Sequence, residues 1–168
     1  MAQVGVPSIQ STEFAELLVH SGLISEQDLE FARAAKARTG SHIDEILVSQ
    51  GIVSPQALRS VMAHAWGLPV LDLHTAPHDT AFMHRWSGQL MIAENWAPLR
   101  REPDGTVLVA TARIPDAERR EHIERTVGAP VRFGVATSWD IRNLVLRVYH
   151  AEIADQAANE LFRQNPEL

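Results

Sequence analysis

Residues 13–36, EFAELLVHSGLISEQDLEFARAAK, and residues 42–65, HIDEILVSQGIVSPQALRSVMAHA, are two copies of one unit at a constant offset of 29. Identities fall at Glu16/Glu45, Leu18/Leu47, Val19/Val48, Gly22/Gly51, Ser25/Ser54, Gln27/Gln56, Leu29/Leu58 and Ala34/Ala63. Apolar character is kept at Phe14/Ile43, Leu17/Ile46, Leu23/Ile52 and Ile24/Val53, so both copies turn the same face to a core. Each copy reads as helix, glycine, helix. Thr12 and Ser41 are placed to cap the first helices, and Gly22 and Gly51 supply the left-handed residue that ends them. Ser25 with Asp28 forms a capping box for one second helix; Ser54-Pro55 opens the other, with proline where its missing N–H costs nothing. Leu29, Ala32 and Ala35, and in the other copy Leu58, Val61, Met62 and Ala65, recur at three- and four-residue steps as one buried stripe per helix. A duplicated surface of this kind suits a pseudo-symmetric ligand or one long partner helix better than a catalytic site.

Gly67 ends the fourth helix, and the pattern changes after it. Leu68 to Leu73 reads as a short strand, and Pro77 interrupts the segment beyond it. Asp79 caps a helix running to about Trp86, which Gly88 ends. Trp96–Arg100 and Thr106–Ala110 flank Glu102-Pro103-Asp104-Gly105, a strong turn former, and predict a β-hairpin. Residues 115–127 predict a charged surface helix, Val131–Val135 a strand, and Thr137 or Ser138 the cap of a helix carrying Ile141, Leu144, Val145 and Val148 at helical spacing. Ile153, Ala157 and Leu161 make residues 151–164 a last amphipathic segment. The expected fold is α+β: an N-terminal four-helix lobe built of two helix-turn-helix repeats (residues 1–67), a small α+β sandwich lobe (68–150), and a C-terminal helical linker (151–168) to a domain outside this chain. The abrupt Asn-Pro-Glu-Leu end reads as that of a fragment.

The 168 residues are 45% hydrophobic, enough for a core. A net charge of -6 argues against binding a nucleic-acid polymer, which draws affinity from Lys and Arg on phosphates. With no cysteine, disulfides, thiolate metal sites and a thiol nucleophile are excluded. No window approaches the ~18 uninterrupted apolar residues of a membrane span, so no membrane insertion is expected and the chain reads as cytoplasmic.

The chemistry-bearing residue types do not assemble into a site. His74, His78 and His84 with Asp72 and Asp79 are metal-like in type, but Pro77 keeps His74 and His78 off a common helix face, so no metal is expected. Ser21-Gly22 and Ser49-Gln50-Gly51 are helix ends, not nucleophile elbows, since no strand precedes the serine. A Gly-Lys-Ser/Thr phosphate loop is lacking. The charged helix Asp116–Arg125 is read as a solvated face with weak ion pairs. Trp66, Trp86, Trp96 and Trp139 are expected to fill cores or lobe contacts. The chain is therefore expected not to be an enzyme.

The stretches LLVHSGLISEQDL (17–29), ILVSQGIVSPQAL (46–58) and GLPVLDL (67–73) resemble the N-terminal domain of type II secretion and type IV pilus assembly ATPases, also called the MshEN domain. The resemblance continues through Ala97-Pro98-Leu99, Val107 to Thr111 and Val135-Ala136-Thr137. The same module occurs attached to membrane-bound family 2 glycosyltransferases. The resemblance implies a non-catalytic regulatory and docking module coupled to such an ATPase or glycosyltransferase, at the inner face of the bacterial inner membrane. A cytoplasmic segment of an inner-membrane protein is a further implied partner.

No cofactor is called for, and cyclic di-GMP is the ligand the resemblance admits. In the ligand-binding branch an arginine opens each repeat motif with a forked pair of hydrogen bonds to guanine, followed by leucine and glycine, and a glutamine closes it. By position, the opening arginine falls on Glu13 and His42, the leucine on Phe14 and Ile43, the glycine on Ala15 and Asp44, and the glutamine on Lys36 and Ala65. The interior leucines fall on Leu29 and Leu58, then on Arg33 and Met62. The apolar frame survives while most polar contacts do not, and Glu13 and Asp44 place negative charge near a doubly anionic ligand. The alternative reading is thus a cyclic di-GMP sensor with a diverged motif, in which Arg33, Lys36 and Arg38 form a basic edge and a protonated His42 adds positive charge.

Overall fold

A computed structural model describes residues 14–164, and for residues 151–160 their backbone alone. Helix α1 occupies 14–20, α2 Glu26–Thr39, α3 Ile43–Ser49 and α4 Pro55–Trp66. The two copies fold alike down to individual hydrogen bonds. Gly22 N–H donates to the Val19 carbonyl and Leu23 N–H to that of Leu18; Gly51 and Ile52 repeat these bonds onto Val48 and Leu47. Both glycines sit at positive φ, 77° and 71°, closing the same left-handed helix end. Leu18 and Leu47 are both fully buried, and the pairs Ile24/Val53 and Leu29/Leu58 are buried with them.

The expected caps at Ser25, with its Asp28 box, and at Ser54 are present. Thr12 lies outside the described residues. Ser41 is displaced as a cap by His42, whose N–H is met by the Glu45 carboxylate 3.4 Å away, while the Ser41 amide turns to Thr39.

The second half is a three-stranded sheet in the order β1 (Trp96–Arg101), β2 (Val107–Thr111), β3 (Val131–Val135), with β1 antiparallel and β3 parallel to β2. Alternation along β2 divides the core. Val107 and Val109 face Phe82, Trp96, Phe133 and, from helix α7 (Ala117–Val127), Ile123 and Val127. Leu108 and Ala110 face the larger cluster, which joins Leu18, Leu47 and Met62 of the repeat to Ile141, Leu144 and Val148 of helix α8 (Ser138–Gln164).

Three local expectations are corrected. Residues 68–73 do not form a strand: only Val70 bridges, to Val135. Pro69 has no N–H for the ladder, and Asp72 immediately starts a turn, its carbonyl accepting from Ala76 N–H at 2.7 Å. The helix after Asp79 is a single turn, α5 (Thr80–Met83). Gly88 does not end it but opens another helix, α6 (Gly88–Glu94), capped by Ser87. Gly88 also serves packing: a Cβ there would lie 2.8 Å from Val145 Cγ1 on α8. Helix α8 is capped by Thr137 through a reciprocal pair with Asp140, and its backbone is helical without a break from Ser138 to Gln164. Among the described residues no helix is long and apolar enough to cross a membrane.

Candidate functional site

The two repeat copies differ in what they hold. The second copy grips the first turn of α8 through three polar contacts. Arg59 donates from Nε and Nη2 to the two carboxylate oxygens of Asp140, at 2.8 and 2.6 Å. Asp44 accepts from the Ser138 N–H at 2.6 Å. Glu45 accepts from Arg142, with Nη2 at 3.4 Å from Oε2. At the same positions in the first copy stand Ala15, Glu16 and Glu30, so only the shared glutamate recurs.

The electrostatics of these carboxylates differ. Burial raises the Asp140 carboxyl, but the hydrogen bonds and charge of Arg59 and the Thr137 amide outweigh it, leaving its pKa below the ordinary value. Asp44 is 3% exposed, and burial dominates: its pKa is raised, although the Ser138 bond and His42 pull the other way. An aspartate raised on folding binds more protons native than unfolded, so it subtracts stability as pH rises above 3.8 toward its folded value. Asp44→Asn keeps an acceptor for the Ser138 N–H and removes the buried charge. The variant is expected to be more stable than the parent at pH 7 and to lose that advantage below pH 3.8, as read from urea midpoints across pH.

The structure distributes the twelve motif positions among different environments. Ala15, Leu29, Ile43, Leu58 and Met62 lie in the main core, and Phe14 packs beside them, its ring 6.3 Å from that of Trp66. His42 directs Nε2 to the Ile92 carbonyl at 3.0 Å, tying α3 to α6. Asp44 is bound to Ser138. Arg33 and Ala65 are exposed and Lys36 is half-buried. Glu13 lies outside the described residues. Sequence reasoning names Glu45 only as a repeat identity and passes over Arg59, Asp140 and Arg142; the Thr137-x-x-Asp140 capping pattern is the one local signal pointing to this turn.

The three histidines act separately: His74 Nδ1 faces Arg147, His78 Nδ1 faces the Ala76 carbonyl, and His84 faces the Val148 carbonyl while stacking 4.5 Å from Tyr149. Trp96 is fully buried and Trp66 and Trp86 are half-buried, whereas Trp139 is 38% exposed. The charged helix is more than a solvated face. Arg125 and Glu121 form the expected loose pair at 4.0 Å, but Arg119 is half-buried and donates to the Glu94 and Asn95 carbonyls at 2.5 and 3.1 Å, at the negative end of α6. Burial, and then the charge of Arg113, push its pKa down to about 10.

The profile of the MshEN domain matches residues 66–155, which include the sheet and the gripped turn of α8 and begin after the repeat. Among solved structures, MshE with cdg (cyclic di-GMP) is 26% identical with a TM-score of 0.54, covering 81% of this chain and 98% of that one. The N-terminal domain of XpsE, at 20% identity and a TM-score of 0.54 over 82% of this chain and 94% of that one, shares the fold. No curated protein matches. With more than half of its length matched, this chain belongs to the MshEN domain family.

Proposed function

We propose that this chain is a non-catalytic regulatory and docking module that relays a ligand or partner signal to an attached or associated catalytic domain, a secretion or pilus ATPase or a family 2 glycosyltransferase. In this reading a helical lobe (residues 1–67) receives the signal, an α+β lobe (68–150) carries it, and the segment 151–168 links it onward. It operates at the cytoplasmic face of the inner membrane. The observation that carries the reading is the grip of the second repeat on α8: whatever shifts α3 and α4 acts directly on the helix that leads out of the sheet lobe. Three polar contacts cluster at the start of α8, separate from the hydrogen bonds that Arg147 and Tyr149 make further along it, and make a junction with alternative arrangements.

Hydrogen exchange tests the relay. In Glu45→Ala/Arg59→Ala the amides of residues 138–145 are expected to exchange at least about tenfold faster while those of β2 keep their protection. Equal acceleration in α8 and β2 would mean that the two open only together, and the relay reading would fail.

The second reading, a cyclic di-GMP sensor, is favoured by the likeness to MshE with cdg. Against it stand Asp44 and His42, both engaged within the protein, and the exposed, uncharged Ala65. Calorimetric titration with cyclic di-GMP, using GTP and cyclic di-AMP as controls, separates them. A sensor binds stoichiometrically and weakens when Arg33 or Lys36 is neutralised; a protein-docking module gives no heat.

A further inference from the structure

Most arginines of the α+β lobe have an oxygen partner that accounts for their position. Arg100 and Arg132 converge on Glu102, Arg119 and Arg120 on backbone carbonyls, and Arg147 on the Leu73 carbonyl. Arg85 and Arg101 are set apart by an aromatic contact that they share. Both are exposed, and both guanidinium groups lie against one ring, that of Phe82, at 5.2 and 5.6 Å from its centroid. The two charges are therefore within about 11 Å of each other. Among the described residues no carboxylate reaches salt-bridge distance of either. Among the described residues, Arg101 Nη1 donates to the Gly105 carbonyl at 3.3 Å.

The nearby carboxylates are engaged: Glu102 by two arginines, Asp79 as the cap of α5, and Asp104 by Thr106. An aromatic ring attracts a cation, but two guanidinium groups held near one ring repel one another, and among the described residues no carboxylate pairs with either. The ring itself is 6% exposed and makes an edge-on contact with Trp86 at 5.1 Å, so both arginines lie against a buried side chain. Guanidinium groups present forked donors that match phosphate oxygens.

We infer that Arg85 and Arg101, seated on Phe82, form a binding site for a phosphate group, separate from the tandem repeat. The chemistry is common to a free phosphorylated solute and a lipid headgroup. Inorganic pyrophosphate, titrated at low ionic strength and followed by amide NMR, is expected to give saturable shifts at Arg85, Trp86, Arg101 and Glu102. Affinity is expected to fall at least tenfold in Arg85→Gln/Arg101→Gln and to stay unchanged in the surface control Arg125→Gln. Sedimentation with phosphatidylglycerol vesicles is the second arm. Arginine-dependent sedimentation assigns the headgroup source, and arginine-dependent pyrophosphate shifts without sedimentation assign a soluble phosphate. The inference is overturned if neither probe binds, or if binding survives in the double variant. Both arginines are exposed, so the variant is expected to fold, and an unchanged melting curve verifies this.

Discussion

Leu47→Ala is expected to lower the unfolding free energy by about 2–5 kcal/mol, and Leu18→Ala by a similar amount. Both side chains are fully buried, both occupy the same place in their copy of the repeat, and both belong to the one core cluster that spans repeat and sheet. The lost contacts and the residual cavity each add to the cost, and a junction of four short helices has little freedom to collapse into the gap. Urea denaturation of the two variants reads the effect directly. Near-equal losses mean that the copies share one cooperative core. A loss in Leu18→Ala below about 1 kcal/mol would mean that the first copy opens independently of the rest.

Asp140→Ala is expected to cost about 2–3 kcal/mol. It removes a bidentate partner from Arg59 and an acceptor from the Thr137 amide at the start of α8. The figure sits below the range for a fully buried pair because the Arg59 side chain retains 20% exposure and can be partly rehydrated. The sign with pH comes from the lowered pKa of Asp140. Its contribution is complete above 3.8 and is lost as pH falls through the lower folded value. The difference between parent and variant should therefore narrow in acid. A double-mutant cycle with Arg59→Ala isolates the pair; a coupling near zero would place the cost in the helix cap instead.

Local chemistry carries most of the fold. Gly22 and Gly51 announce identical helix ends, Ser25-x-x-Asp28 a capping box, and Glu102 to Gly105 the hairpin between β1 and β2; each works through atoms a few residues apart. Ser87-Gly88 misleads because serine can open a helix as readily as glycine can close one, and the close approach of Val145 that requires the glycine is invisible locally. Pro69 lies in an apolar run that reads as a strand yet makes a single bridge. The candidate site is least legible. Arg59 and Asp140 are 81 residues apart, Asp44 and Ser138 94, and Glu45 and Arg142 97, so no spacing rule links them. The repeat alignment hides the difference as well, because it draws attention to what the copies share, whereas the grip depends on Asp44 and Arg59, where they differ.

The unbroken helicity of α8 has a mechanical consequence. Its 27 residues span about 40 Å at 1.5 Å per residue, and the gripped turn lies at one end. A tilt of about 5° at that end would sweep the far end through roughly 3–4 Å, more than a hydrogen-bond length. In the proposed relay the helix would act as a lever with a short input arm, turning a change of one contact's width among Arg59, Asp44 and Glu45 into a displacement large enough to make or break a distant interface.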